Sequence, residues 1–225
     1  MNFETFQHVA DTSGGILYLM GLLLLVAMTV AIERSWALWK MINQGRKVME
    51  QLQSAKLVEH RELAHLGESF PDLPHAKVLA AALQHDLNHD FERISDKLDE
   101  SIMREAPGVD RHLWVLDTIV TMAPLLGLLG TIIGMFNAFQ VLGDPGTAPT
   151  KVTGGVAEAL LATASGLFIA ILGLFFFNAL SNRVRVIMHQ LETLKVMLVN
   201  RMYPHYQDAE EKATQVVSGL RSRVV

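Results

Sequence analysis

The chain has 225 residues, of which 50% are hydrophobic and only 19% charged, and its mean hydropathy is +0.27. A soluble domain carries roughly a quarter charged residues; here three long stretches hold none while the rest is dense in them, which excludes an ordinary soluble enzyme, a disordered chain and a collagen-like repeat. The formal net charge of −4 offers no basic surface to nucleic acid, and the absence of cysteine excludes a disulfide scaffold, a thiolate zinc site and a cysteine nucleophile.

The first uncharged run lies between Asp11 and Glu33, with its dense apolar part from Ile16 to Ile32. A bilayer core of about 30 Å needs roughly 20 helical residues at 1.5 Å each, so the run can span it. Its leading flank carries Glu4 and Asp11 and no Lys or Arg, the opposite of a secretory signal. Its far end, Glu33-Arg34-Ser35-Trp36 followed by Trp39-Lys40, reads as the aromatic belt and basic anchor of a retained span. The helix is predicted to continue through Glu50 and Leu57, and Pro71 and Pro74 then break the pattern. A second helix is predicted from about His75 to Glu105, because Leu79, Leu83, Leu87, Phe91, Ile94, Leu98 and Ile102 recur at helical spacing. Pro107-Gly108 reads as the hinge into the second uncharged run, between Asp117 and Asp144. The third run lies between Glu158 and Arg183, and the turn residues Gly143-Asp144-Pro145-Gly146-Thr147-Ala148-Pro149 close the last two runs into an antiparallel hairpin. Beyond it Val184, Ile187, Met188, Leu191, Leu194 and Leu198 keep a helical stripe, and the residues from about Gln207 read as a frayed tail.

Basic residues set the direction. None precedes the first span, Arg34, Lys40, Arg46 and Lys47 follow it, Arg104 and Arg111 precede the second, Lys151 alone separates the second from the third, and Arg183, Arg185, Lys195 and Arg201 follow. The N-terminus is therefore expected outside and the C-terminus in the cytoplasm. The expected fold is all-α, an integral membrane protein with three transmembrane helices and long helices extending into the cytoplasm. Its parts are an outer N-terminus with the first transmembrane helix (1–33), a cytoplasmic helical insert (34–112), the second transmembrane helix (113–142), an outer loop (143–154), the third transmembrane helix (155–182) and a cytoplasmic C-terminal helix and tail (183–225).

A charge at mid-bilayer costs about 2.5–3.5 kcal/mol on insertion scales. Glu158 sits near the outer third of the third span, and no Lys or Arg lies within the spans to neutralise it. A carboxyl with no fixed counter-ion, facing a bundle interior or a water path, suits a proton relay. The alternative is that Glu158 snorkels to the outer interface near Lys151, two helical turns away. Thr131 and Thr163 are the hydroxyls that can meet near it; the alternative is that each bonds its own preceding turn. Small residues are dense on both spans, with Gly127, Gly130 and Gly134 on the second and Gly155, Ala159, Ala162 and Gly166 on the third, and they let helices approach closely in lipid. Pro124 is expected to bend the second span or loosen its hydrogen-bond ladder. An intramembrane enzyme would need Ser with His, paired aspartates or H-E-x-x-H inside the spans; all 9 histidines lie outside them and no span interior holds an aspartate, so no enzyme is expected. His85 and His89, with Asp86 and Asp90 beside them, read as a solvated helix face; no metal or other cofactor is expected.

At Ala123-Pro124-Leu125-Leu126-Gly127-Leu128-Leu129-Gly130-Thr131-Ile132-Ile133-Gly134-Met135 and at Ala157-Glu158-Ala159-Leu160-Leu161-Ala162-Thr163-Ala164, followed by Gly166-Leu167-Phe168, the sequence resembles the ExbB/TolQ/MotA family of proton-channel stators. The three-span layout looks like ExbB or TolQ, most like ExbB. The resemblance implies a homopentamer in a bacterial inner membrane, N-terminus periplasmic, around a dimer of a single-span partner of the ExbD or TolR kind. It implies that Glu158 is the pore carboxylate, that Thr131 and Thr163 are the polar pore residues, and that the coupling ion is the proton. In the ExbB branch the motion energises a TonB-like protein for outer-membrane transport; in the TolQ branch it serves the Tol-Pal envelope system. The small-residue stripes would serve a non-conducting membrane scaffold equally well. The proline common after this family's Gly-Leu-Phe run is missing, which implies a straighter inner half of the third helix with Gly173 as a softer hinge.

Overall fold

The computed structural model describes residues 15–54, 67, 70–84, 91–140 and 149–202, and all regular structure among them is α-helical. The helices are α1 (Ile16–Ser54), α2 (Pro74–Leu83), α3 (Phe91–Val109), α4 (Leu113–Gln140) and α5 (Pro149–Met202). Segments of α1, α4 and α5 are long and apolar enough to cross a membrane. The acidic N-terminal flank, the continuation to Leu57, the His85/His89 pair, loop residues 143–148 and the tail from Gln207 lie outside the described residues.

The chain divides into two units. The first holds the described residues 15–36, 111–140 and 149–182. Its helices are apolar around most of their circumference, as lipid-facing helices must be. The contact faces are distinguished by size instead. On α4 the buried positions Leu113, Leu116, Ile119, Ala123, Gly127, Gly130, Gly134 and Ala138 recur every three or four residues, one inward face that shrinks from leucine to glycine. The bulky Leu125, Leu128, Ile132 and Phe136 lie outward. α4 runs unbroken through Pro124, whose ring nitrogen cannot donate to the Val120 carbonyl. α5 runs unbroken from Pro149 to Met202. The expected hinge residue Gly173 is a packing contact there, since a Cβ on it would lie 3.0 Å from Val120 Cγ2.

The second unit holds residues 37–54, 67, 70–84, 91–110 and 183–202. The single helix predicted over His75–Glu105 is two. α2 starts on Pro74, a residue that fits the first turn because no donor is needed there, and it ends where the Gln84 N–H bonds the Ala80 carbonyl at 3.1 Å. Lys77 Nζ meets Glu105 Oε2 at 2.8 Å, and Lys97 Nζ donates to the Gln84 carbonyl at 3.2 Å, so α2 and α3 lie antiparallel. A continuous helix would hold residues 77 and 105 roughly 42 Å apart. The stripe misleads because both helices turn their apolar residues to one core at the same spacing. The interrupting signal is His85-Asp86-Leu87-Asn88-His89-Asp90, polar at every position but one. The hinge expected at Pro107-Gly108 also moves: both residues lie inside the end of α3. The break falls at Asp110–His112, where His112 takes the left-handed φ of 66°.

The core of this unit is Val48 and Leu52 of α1, Val78 and Leu79 of α2, Ile94 and Leu98 of α3, and Ile187, Leu191, Leu194 and Leu198 of α5. Each such side chain contributes roughly 1.5–3 kcal/mol on burial. Lys195 of α5 reaches Asp99 of α3 at 2.5 Å. Among the apolar residues sits His75, 0% exposed. Gly45 of α1 makes room for it, because a Cβ there would collide with the imidazole ring and with Gln190 Oε1. Burial lowers the His75 pKa from 6.5 to about 4, and the neighbouring Gln190 amide opposes the shift only in part. The folded imidazole therefore stays neutral where an unfolded one would take up a proton. Its contribution is complete above about pH 6.5 and is lost as pH falls toward the folded value. Opening of this unit should cost about 2 kcal/mol less at pH 5 than at pH 7.5, read as the free energy of opening from hydrogen exchange at α2 amides. The difference should shrink in His75→Leu, and an equal difference in that variant would assign it to other groups.

Candidate functional site

α4 and α5 meet along a seam of small residues. Going along it, Ala138 faces Gly155, Gly134 faces Ala159, Gly130 faces Ala162, Gly127 faces Ala162 and Thr163, Ala123 faces Gly166, and Val120 faces Gly173. Rising numbers on one helix meet falling numbers on the other, so the pair is antiparallel. Gly127, Gly130, Gly134, Ala159, Ala162 and Gly166 are buried and Gly155 is half-buried. Contact is backbone to backbone in places: a Cβ on Gly166 would lie 2.5 Å from the Ala123 carbonyl oxygen, and one on Gly127 would lie 3.1 Å from that of Ala162. Ile16 of α1 closes on the same seam, 3.5 Å from where a Gly130 Cβ would stand.

Two hydroxyls enter this line. Thr131 Oγ1 donates to the Gly127 carbonyl of its own preceding turn at 3.1 Å, and it lies 3.4 Å from the Ala159 carbonyl across the seam. Thr163 Oγ1 crosses the other way and donates to the same Gly127 carbonyl at 3.0 Å. The two hydroxyls are also in contact with each other. Thr131 thus combines the local bond and the meeting across the helices, while Thr163 reaches across. Both side chains are half-buried.

Glu158 is half-buried and precedes Ala159, the residue whose carbonyl faces Thr131. It stands at the edge of the seam, close in level to the threonine pair. On an ideal helix it lies about 140° around from Thr163, so the two do not share a narrow face. The side chain of Lys151, the alternative neighbour of Glu158, lies outside the described residues. One member of the site carries no sequence signal of its own. The Gly127 carbonyl becomes a shared acceptor only because the opposing helix comes close enough for Thr163 to reach it.

A family model described as the MotA/TolQ/ExbB proton channel family matches residues 71–193. The chain belongs to this family. The match covers α2, α3, α4 and most of α5, and so includes the threonine pair, Glu158 and the seam. The chain is 32% identical over 199 residues to biopolymer transport protein ExbB-like 3 of Synechocystis sp., covering 84% of this chain and 92% of that protein. It is 38% identical over 91 residues to biopolymer transport protein ExbB of Xanthomonas campestris pv. campestris, covering 40% of this chain and 36% of that one. It is 32% identical over 131 residues to the Tol-Pal system protein TolQ of Haemophilus influenzae, covering 58% of this chain and 52% of that one. With three apolar helices of spanning length, this member of the MotA/TolQ/ExbB family is a membrane protein.

Proposed function

We propose that the chain is the multi-span subunit of an ExbB-like, proton-driven complex. With a single-span ExbD-like partner it converts the proton gradient into mechanical energisation of a TonB-like protein that serves outer-membrane transport. The observation that carries this reading is the Thr131–Thr163 hydroxyl pair in an otherwise apolar seam, one carbonyl away from Glu158. A purely structural seam would be completed by its glycines and alanines and would have no use for a carboxylate beside them. In this reading Glu158, Thr131 and Thr163 border the proton path, and Gly127, Gly130, Gly134, Gly155, Ala159, Ala162 and Gly166 hold the helices that carry them.

The chain then sits in a bacterial inner membrane with its N-terminus periplasmic and its C-terminus cytoplasmic. Five copies surround a partner dimer, protons are the coupling ion, and neither an enzymatic step nor a cofactor is involved. One charge moved through 100 mV yields about 2.3 kcal/mol, so several protons are needed per mechanical event and the complex cycles. A TolQ-like role in the Tol-Pal system is the second reading, favoured by the TolQ relative, whose alignment covers 58% of this chain against 84% for the ExbB-like one. The test is reconstitution in vesicles with a single-span partner carrying a membrane carboxylate, under an imposed proton gradient. Uptake is expected only when both chains are present. An intact complex that passes no protons would make the chain a scaffold and overturn the proposal.

A further inference from the structure

We infer that Asp117 is a second proton-carrying carboxylate, placed at the end of the spans opposite Glu158. The inference rests on the proposed function and adds to it a residue at the other mouth of the path.

Three features of α4 carry it. The first is level. Gly134 faces Ala159, so Glu158 stands beside residues 134–135 of α4. Asp117 lies seventeen or eighteen residues further along, roughly 26 Å on a helix axis, against a hydrocarbon core of about 30 Å. The two carboxylates therefore bracket the apolar slab, and the stretch of α4 beyond Asp117 carries no charge at all. The second is face. Thr121 and Thr131 follow Asp117 by four and fourteen residues, about 40° to either side of it around the helix, so the carboxylate stands between the outward Leu128 and the seam threonine Thr131. The third is the polar content of that side. Thr121 is exposed, and its Oγ1 donates to the carbonyls of Thr118 at 2.9 Å and Asp117 at 3.2 Å. Pro124, also on this side, leaves the Val120 carbonyl without its helical donor. A carboxylate, a hydroxyl and a released carbonyl thus cluster in the first three turns, below the threonine pair.

An anchoring role fits Asp117 poorly. Membrane anchors are long or aromatic side chains, and lysine or arginine gains from anionic headgroups where an aspartate is repelled. The Asp117 side chain is exposed and too short to snorkel. At the edge of the apolar slab a water-filled path hydrates it as bulk water does. The step is a proton transfer alone: a carboxylate oxygen takes a proton arriving past Thr131 and Thr163, and the O–H bond breaks again to water at the same rim.

The experiment compares the wild type, Asp117→Asn, Asp117→Glu and Glu158→Gln, each reconstituted in vesicles with the single-span partner. Complex size and gradient-driven proton uptake are both measured. Asp117→Asn should assemble normally and lose uptake about tenfold, and Asp117→Glu should recover most of it. Wild-type uptake in Asp117→Asn while Glu158→Gln is silent would overturn the inference and leave the proposed function standing. Equal losses in Asp117→Asn and Asp117→Glu would also overturn it, because shape and not the exchangeable proton would then matter. Undiminished uptake in Glu158→Gln would count against the proposed function itself.

Discussion

Glu158→Gln should reduce gradient-driven proton uptake at least about 100-fold while leaving the size of the complex unchanged. The substitution keeps the volume of the side chain and a polar end that can still hydrogen-bond. It removes the exchangeable proton, and loss of a positioned acid–base group commonly costs a factor of 10² to 10⁴. Glu158 is half-buried at the edge of the seam and does not fill the buried core, so assembly has little reason to fail. Uptake and sedimentation of the same preparation separate the two effects. A variant that assembles and conducts as the wild type does would remove Glu158 from the path and return it to the bland role of an interfacial carboxylate.

Gly166→Leu should prevent the α4–α5 hairpin from closing, and Gly166→Ala should weaken it by roughly 1–3 kcal/mol, the usual cost of overpacking a tight contact. A Cβ on Gly166 would meet the Ala123 carbonyl oxygen at 2.5 Å and Gly127 Cα at 3.1 Å, and these are backbone atoms that cannot rotate aside. Gly154 is the matched control on the same helix, because a Cβ there meets nothing within 4 Å. Gly154→Ala should leave the thermal unfolding midpoint in detergent unchanged or slightly raised, since alanine is the better helix former. Equal midpoints for Gly166→Ala and Gly154→Ala would mean that the seam is not close-packed at this position. Wedging the helices apart at Gly166 should also pull Thr163 from the Gly127 carbonyl, so proton uptake should fall along with stability.

The membrane helices were legible because lipid imposes a demand that a sequence must meet openly: some twenty residues without charge, in three places. The seam was half-legible. Gly130 and Gly134 announce a close approach by their spacing alone, but that Gly166 opposes Ala123, or that Thr163 opposes Gly127, depends on the register between helices far apart in the chain. The α2–α3 hairpin was hidden because Leu79, Leu98 and Ile102 belong to one periodic stripe whether the chain turns back or not; only the polar run at 85–90 argued for a turn. His75 gave no sign of burial, because the glycine that accommodates it lies thirty residues away, on another helix. Asp117 looked like the boundary of an apolar run. Only the level of Glu158 against α4 makes it the counterpart of that residue.

The shared carbonyl of Gly127 gives the two threonine hydroxyls a choice of acceptor. Each threonine hydroxyl has a single hydrogen and two lone pairs. Around this pair those two hydrogens can be given to the Gly127 oxygen, the Ala159 oxygen or the opposite hydroxyl. Acceptors outnumber hydrogens, so the polarity of the pair can be reversed by swivelling O–H bonds while every heavier atom stays in place. The pair can act as a turnstile within a rigid wall, and the slow step of a working cycle would then fall to whatever moves beside that wall.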